Sequence, residues 1–150
     1  MSSATGLIFL PATEADLPAL LALRKQTMDP HLRAADLPVD DACHMLRVRY
    51  QWEHARLIML EGQWAGLFKA YRDAACWQLV QLQIAPPFQG RGLGARVLAG
   101  MLAQADAQAL PACLSVLKPN PARHLYERCG FRIVGEEGQE YLMRREPGAV

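Results

Sequence analysis

The sequence predicts a single mixed α/β domain in which a largely antiparallel sheet is flanked by helices. Three observations carry that prediction. The chain has 150 residues, 51% of them hydrophobic and 21% charged, which suits one sizeable core rather than two domains or a disordered segment. Its apolar residues switch between strand alternation and helical spacing along the chain, in the order β-α-α-β-β-β-α-β-α-β-β. Proline, glycine and aspartate punctuate those segments, and neither a repeat nor a linker interrupts them.

Leu7 to Leu10 reads as the first strand. Thr13 can cap a helix with Glu14 and Asp16 in its first turn and Leu17, Leu20, Leu21 and Met28 as its apolar face. Asp29-Pro30 is expected to end that helix. After Pro38, the positions Val39, Ala42, Cys43, Leu46 and Tyr50 recur at helical spacing and predict a second helix with these as its apolar face. Leu57 to Leu60 and Trp64 to Tyr71 flank Glu61-Gly62-Gln63 and predict a hairpin.

The next strand spans Cys76 to Ile84, where alternation sets Val80, Leu82 and Ile84 on one face and Leu79, Gln81 and Gln83 on the other. Pro86-Pro87 cannot donate ladder hydrogen bonds and stops it. Leu93, Val97, Met101 and Ala105, with Leu98 and Leu102 beside them, predict a buried helix closed by Leu110-Pro111. Cys113 to Leu117 is a short strand running parallel to Cys76–Ile84 through a right-handed crossover. Asn120-Pro121 starts a helix as cap and first helical residue, its apolar face being Ala122, Leu125, Tyr126 and Cys129. Gly130 suits its C-terminus, and Phe131 to Val134 pairs with Tyr141 to Met143 across the turn from Gly135 to Gly138. The domain is expected to fill residues 1–145, with 146–150 a flexible tail.

The net charge of +1 provides no overall basic field for nucleic acid or membrane surfaces. Cys43, Cys76, Cys113 and Cys129 lie too far apart for a zinc or redox motif and read as reduced core thiols. His31, His44, His54 and His124 form no ligand cluster, so no metal is expected. No apolar run approaches the ~20 residues of a membrane span, and the expected location is the cytoplasm.

The segment Gln89-Gly90-Arg91-Gly92-Leu93-Gly94 lies between a strand and a helix. Glycines permit a tight turn and close approach of backbone to ligand, and free amides at a helix start favour negative charge, so the segment reads as a seat for phosphates. No Gly-Lys-Ser/Thr follows, which removes the lysine and hydroxyl that nucleotide hydrolysis needs. The spacing also departs from the dinucleotide fingerprint, and no acidic residue stands about 20 positions further on. A nucleotide-binding oxidoreductase is therefore the weaker alternative.

The pattern Gln-x-x-Gly-x-Gly after a strand and Pro86 resembles the acyl-CoA signature of the GNAT superfamily of N-acetyltransferases. A second block, Asn120 through Tyr126 to Gly130-Phe131, is similar to a downstream segment of that superfamily. The resemblance covers roughly Leu57 to Met143. It implies that the amides of Gly90, Arg91, Gly92, Leu93, Gly94 and Ala95 hold the CoA pyrophosphate, with Gln89 and Arg91 shaping the turn and Gly92 and Gly94 irreplaceable. It further implies that the backbone of Leu82, Gln83 and Ile84 pairs with the pantetheine arm, which Asn120 helps hold.

On this resemblance the chain transfers an acetyl group from acetyl-CoA to the primary amine of a small molecule or peptide, directly and through a tetrahedral intermediate. Tyr126 would donate to the departing sulfur, and Tyr50, Gln81 and Gln83 are candidate substrate contacts. A lysine-like amine of pKa about 10.4 costs about 4.6 kcal/mol to deprotonate at pH 7. No carboxylate sits in the Cys76–Ile84 strand to act as base, which leaves a water chain. That gap keeps a second reading open: an acyl-CoA-binding or regulatory module that catalyses nothing. An exposed edge strand also leaves a homodimer open.

Overall fold

The computed structural model describes residues 6–149. Seven strands form one sheet in the order β1-β2-β3-β4-β5-β7-β6: β1 Leu7–Pro11, β2 Ala55–Leu60, β3 Gln63–Arg72, β4 Trp77–Ile84, β5 Ala112–Leu117, β6 Arg132–Glu137 and β7 Glu140–Arg145. Every neighbouring pair is antiparallel except β4 and β5, as expected for strands joined through a helix. Helices α1 (Leu17–Ala34) and α2 (Asp41–Arg49) precede the hairpins; α3 (Leu93–Ala107) and α4 (Ala122–Arg128) follow β4 and β5. The order and type of the elements match the sequence reading.

Alternate residues of the central strands pack in opposite directions. Leu57 and Leu67 join Leu17, Leu20, Leu23 and Val48 in the layer formed with α1 and α2. Ile58 joins Leu93 and Val97, and Leu79 and Leu114 join Leu98, Met101 and Leu102 of α3 with Tyr126 of α4. The sheet is thus a middle layer with a helix pair on each face.

Three local readings are corrected. Helix α1 runs through Asp29-Pro30 to Ala34, with Pro30 inside it. Leu32 and the following Ala35 pack against Leu117, so tertiary burial outweighs the lost backbone bond. Helix α2 buries His44 and Val48, while Leu46 is 72% exposed. Its orientation is set by Lys69, a fully buried residue whose ammonium donates to the carbonyls of Arg47 (3.0 Å), Val48 (2.7 Å) and Tyr50 (2.6 Å). These are carbonyls of the helix end, where a cation is stabilised.

The third correction concerns β4. Lys69 pairs with Gln81 and Ala70 with Leu79, which leaves Val80 as an extra, unpaired residue. This bulge puts Leu79 in the α3-side cluster that Leu82 also packs against, instead of on the face of Gln81 and Gln83.

Helix α4 begins at Ala122, with Pro121 as its cap residue. Asn120 still serves the helix start, its Oδ1 accepting from the Ala122 amide at 2.9 Å. Residues 146–149, expected as a flexible tail, are tied to the domain: the Gly148 amide donates to Asp106 Oδ1 at 2.7 Å, and Arg145 bonds the Ala149 carbonyl as well as Asp106. Val150 and residues 1–5 lie outside the described residues. Of the cysteines, Cys76 is buried and Cys43, Cys113 and Cys129 are half-buried; all four are free thiols. No described helix is long and apolar enough to cross a membrane.

Candidate active site

Parallel pairing of β4 with β5 consists of three rungs, Trp77–Ala112, Gln78–Cys113 and Leu79–Leu114. Beyond Leu79 the strands part, β4 remaining on β3 and β5 on β7. The inner edge of Val80–Ile84 therefore carries backbone groups that β5 does not take, an unfilled strand position inside the sheet. Gly66 of β3 holds this edge in place from the other side: a Cβ there would overlap the Gln83 carbonyl oxygen, so only glycine lets β3 approach so closely.

β4 leads through a 3-10 turn, Pro86–Phe88, into the glycine segment. The Gln89 side chain donates from Nε2 to the Ile84 carbonyl at 2.9 Å, folding the turn back on the strand. Gly90 and Gly92 adopt φ of +77° and +73°, a region an L-residue enters only under strain, with open space where a Cβ would stand. Gly94 differs. Its φ is ordinary and a Cβ would lie 3.4 Å from Leu125 Cδ2, so the fold itself does not demand glycine there.

Gly92 caps α3, and its carbonyl accepts from the Arg96 amide. Among the described residues, the amides of Gly90, Arg91, Gly92, Leu93, Gly94 and Ala95 have no acceptor. Six consecutive free amides at the positive end of a fifteen-residue helix form an anion seat. The Arg91 guanidinium sits over the Phe88 ring at 5.6 Å, at the same turn.

A cavity of about 840 Å³ opens between the parted strands and extends under α1 and α2. Tyr50, Gln81, Leu82, Gln83, Asn120 and Tyr126 all line it. Ile84 and residues 89–95 do not; they lie along the strand and turn that lead away from it. Tyr126 is 7% exposed, its ring edge-on to Phe131, and its hydroxyl has no hydrogen-bond partner among the described residues. Burial, and secondarily Cys129, pushes its pKa up to about 12, so the phenol keeps its proton at neutral pH.

Other parts of the cavity wall come from residues to which sequence reading gave no binding role. Arg24, on the buried face of α1, lines it together with His44 and Arg47 of α2, Glu137 of β6 and Glu140 of β7. Burial, then Arg47, lowers the Arg24 pKa to about 10. Burial, then Arg47 and Arg24, brings Lys69 down to about 7, against the three carbonyls that take its three protons. His44 Nε2 lies 2.6 Å from Asp29 Oδ1 and fastens α2 to α1. A single arginine inside an amphipathic helix carries no sequence signal; only the apolar neighbours Leu20 and Leu23 mark that it sits near the buried stripe.

Comparison with known proteins agrees with this geometry. The family model described as an acetyltransferase (GNAT) domain matches residues 38–144. Among solved structures, the PaiA N-acetyltransferase of Thermoplasma acidophilum, in complex with coenzyme A, superposes with a TM-score of 0.71 at 12% identity, covering 93% of this chain and 98% of that one. An acetyltransferase of Thermus thermophilus gives 0.72 at 24% identity over 93% and 96%. The N-acetylglutamate synthase of Neisseria gonorrhoeae, with coenzyme A and N-acetyl-glutamate, gives 0.67 at 14% over 94% and 35%.

Proposed function

The chain belongs to the GNAT acetyltransferase family, and on that premise we propose that it moves an acetyl group from acetyl-CoA to a primary amine. The observation that carries this reading is the parting of β4 and β5 beside the six free amides of residues 90–95. The amides and the helix start would take the pyrophosphate, Gln89 and Arg91 shaping the turn that presents them. The backbone of Leu82, Gln83 and Ile84 would hold the pantetheine arm like an added strand. Asn120, whose Oδ1 is engaged at Ala122, has its amide nitrogen left for that arm.

Tyr126 of α4 stands on the cavity wall and would donate a hydrogen bond to the sulfur as the carbon–sulfur bond breaks. The nitrogen–carbon bond forms, the electron pair goes to sulfur, and the ammonium proton leaves through cavity water. Arg24 and Arg47, close to the acceptor's end of the cavity, disfavour a second cation there and thereby lower the cost of neutralising the amine.

Acetyl-CoA at a hundred times its dissociation constant should stabilise the chain by about 2.7 kcal/mol, or about 5 to 11 °C. Free thiol should then appear when amines are added. Stabilisation without thiol release across an amine panel identifies a silent acyl-CoA-binding module instead. Absence of any shift removes both readings.

A further inference from the structure

The cavity wall under α1 holds polar groups that nothing among the described residues satisfies. Arg24 is 7% exposed and forms neither a hydrogen bond nor an ion pair through its guanidinium among the described residues; its Nε is enclosed without a partner. Gln81 and Gln83 of β4, 5% and 6% exposed, line the same cavity. Both amide atoms of Gln81 and the Oε1 of Gln83 are likewise unpartnered. A buried guanidinium without a counter-ion is costly, and one that lines a cavity is placed to receive a partner from it.

The missing partner is an anion. Asp29 is already engaged by His44 at 2.6 Å and lies 4.0 Å from Arg33, and Glu140 raises the Arg24 pKa without forming an ion pair with it. Arg24, Arg47 and Lys69 act on one another as like charges, and Asp29 and Glu140 are the carboxylates that act on Arg24. With neither carboxylate paired to it, the Arg24 guanidinium is open to an anion from the cavity, and a guanidinium receives a carboxylate through two parallel hydrogen bonds. The carboxamides of Gln81 and Gln83 supply neutral polar groups beside it, suited to the rest of a small polar molecule.

We propose that the acceptor carries a carboxylate as well as its amine, and that Arg24 binds that carboxylate, with Gln81 and Gln83 orienting the acceptor beside it. The acceptor is thus an amino acid or a close analogue. This rests on the acetyl-transfer reading above, and its test separates the two.

Each L-amino acid is compared with its own carboxamide in two measurements: thermal stabilisation of the CoA-saturated chain, and thiol release from acetyl-CoA. At least one acid should exceed its amide by about 10- to 100-fold in kcat/KM, carried by KM. An amide's amine loses its proton more readily than the acid's, so chemistry alone would favour the amide. In Arg24→Gln the acid-to-amide ratio should fall to within about threefold, and Arg24→Lys should restore part of it. Removing an unpaired buried charge should leave the melting temperature of Arg24→Gln at or above that of wild type.

Amides used as well as acids throughout, or a preference for acids that survives in Arg24→Gln, overturns the proposal. If no amine releases thiol, the transfer reading fails, and the stabilisation measurement still decides the carboxylate site. Acids stabilising the CoA-saturated chain more than their amides uphold it, and equal effects refute it.

Discussion

Replacing Tyr126 by Phe removes one oxygen from the cavity wall and tests the role assigned to that phenol. Its pKa of about 12 lies about 3.5 units above that of a free thiol near 8.5, so complete proton transfer to the leaving sulfur is uphill by about 5 kcal/mol. The phenol therefore acts chiefly as a hydrogen-bond donor to the negative sulfur. A hydrogen bond to a charged group is worth about 1.5 to 3 kcal/mol, which corresponds to a fall in kcat of about 10- to 150-fold. Because the hydroxyl has no partner among the described residues and the ring stays edge-on to Phe131, stability should be nearly unchanged. The assay is thiol release at saturating acetyl-CoA, with the dissociation constant of acetyl-CoA and the melting temperature measured on the same samples. A kcat within about threefold of wild type, at unchanged melting temperature, would refute the assignment.

Gly92→Ala forces an L-residue to φ +73° and should cost about 1 to 2 kcal/mol while weakening acetyl-CoA binding; Gly94→Ala should keep the melting temperature of wild type. The reverse ranking in a thermal shift series would show that the turn is read wrongly. Lys69→Met takes the donor away from three carbonyls at the end of α2 and should destabilise by about 1 to 3 kcal/mol, lowering the melting temperature by about 2 to 12 °C. An unchanged melting temperature would show that α2 does not depend on it. Asp106 accepts from Arg145 and from the Gly148 amide, and the Arg145 hydrogen bond, first among the causes, holds its carboxyl below the usual range. Since the folded-state pKa is depressed, this stabilisation is present above about pH 4 and is lost as pH falls through the folded pKa. Asp106→Asn should accordingly be less stable than wild type at pH 7 and approach it as pH falls below the ordinary carboxylate range in urea titrations. A gap that persists undiminished into acid contradicts the pairing.

The architecture was legible because it depends on local signals that survive in three dimensions: Pro86-Pro87 closing β4, the glycine turn, and the i, i+4 line from Leu93 to Ala105. The glycine turn was legible for the same reason, since its free amides follow from Gly90 and Gly92 themselves. The cavity wall under α1 and α2 was not. Arg24 and Lys69 are long cations whose sequence neighbours suggest amphipathic segments with charges outward, and only packing of α1 and α2 onto β3 turns them inward. The α2 face was misjudged because Leu46 and Tyr50 share a helical stripe that tertiary structure leaves exposed, while Lys69 and Asp29 draw the opposite side down. Pro30 likewise lost to the burial of Leu32 and Ala35.

The extra residue in β4 links the two halves of the cleft. Strict alternation would set Leu79, Gln81 and Gln83 on one face, but Val80 bulges out of the ladder, and a bulge both bends a strand and reverses its inward–outward parity. The last rung to β5 is Leu79–Leu114, one residue before that bulge. The bend therefore begins where the strands part, which leaves the edge of Val80–Ile84 open. The parity change lets Leu79 remain with Leu98 and Leu102 in the α3 core while Gln81 and Gln83 stay buried toward the α1–α2 side, where Arg24 has no hydrogen-bond partner for its guanidinium among the described residues. One inserted position thus frees a backbone edge inside the sheet and turns two carboxamides into the cavity.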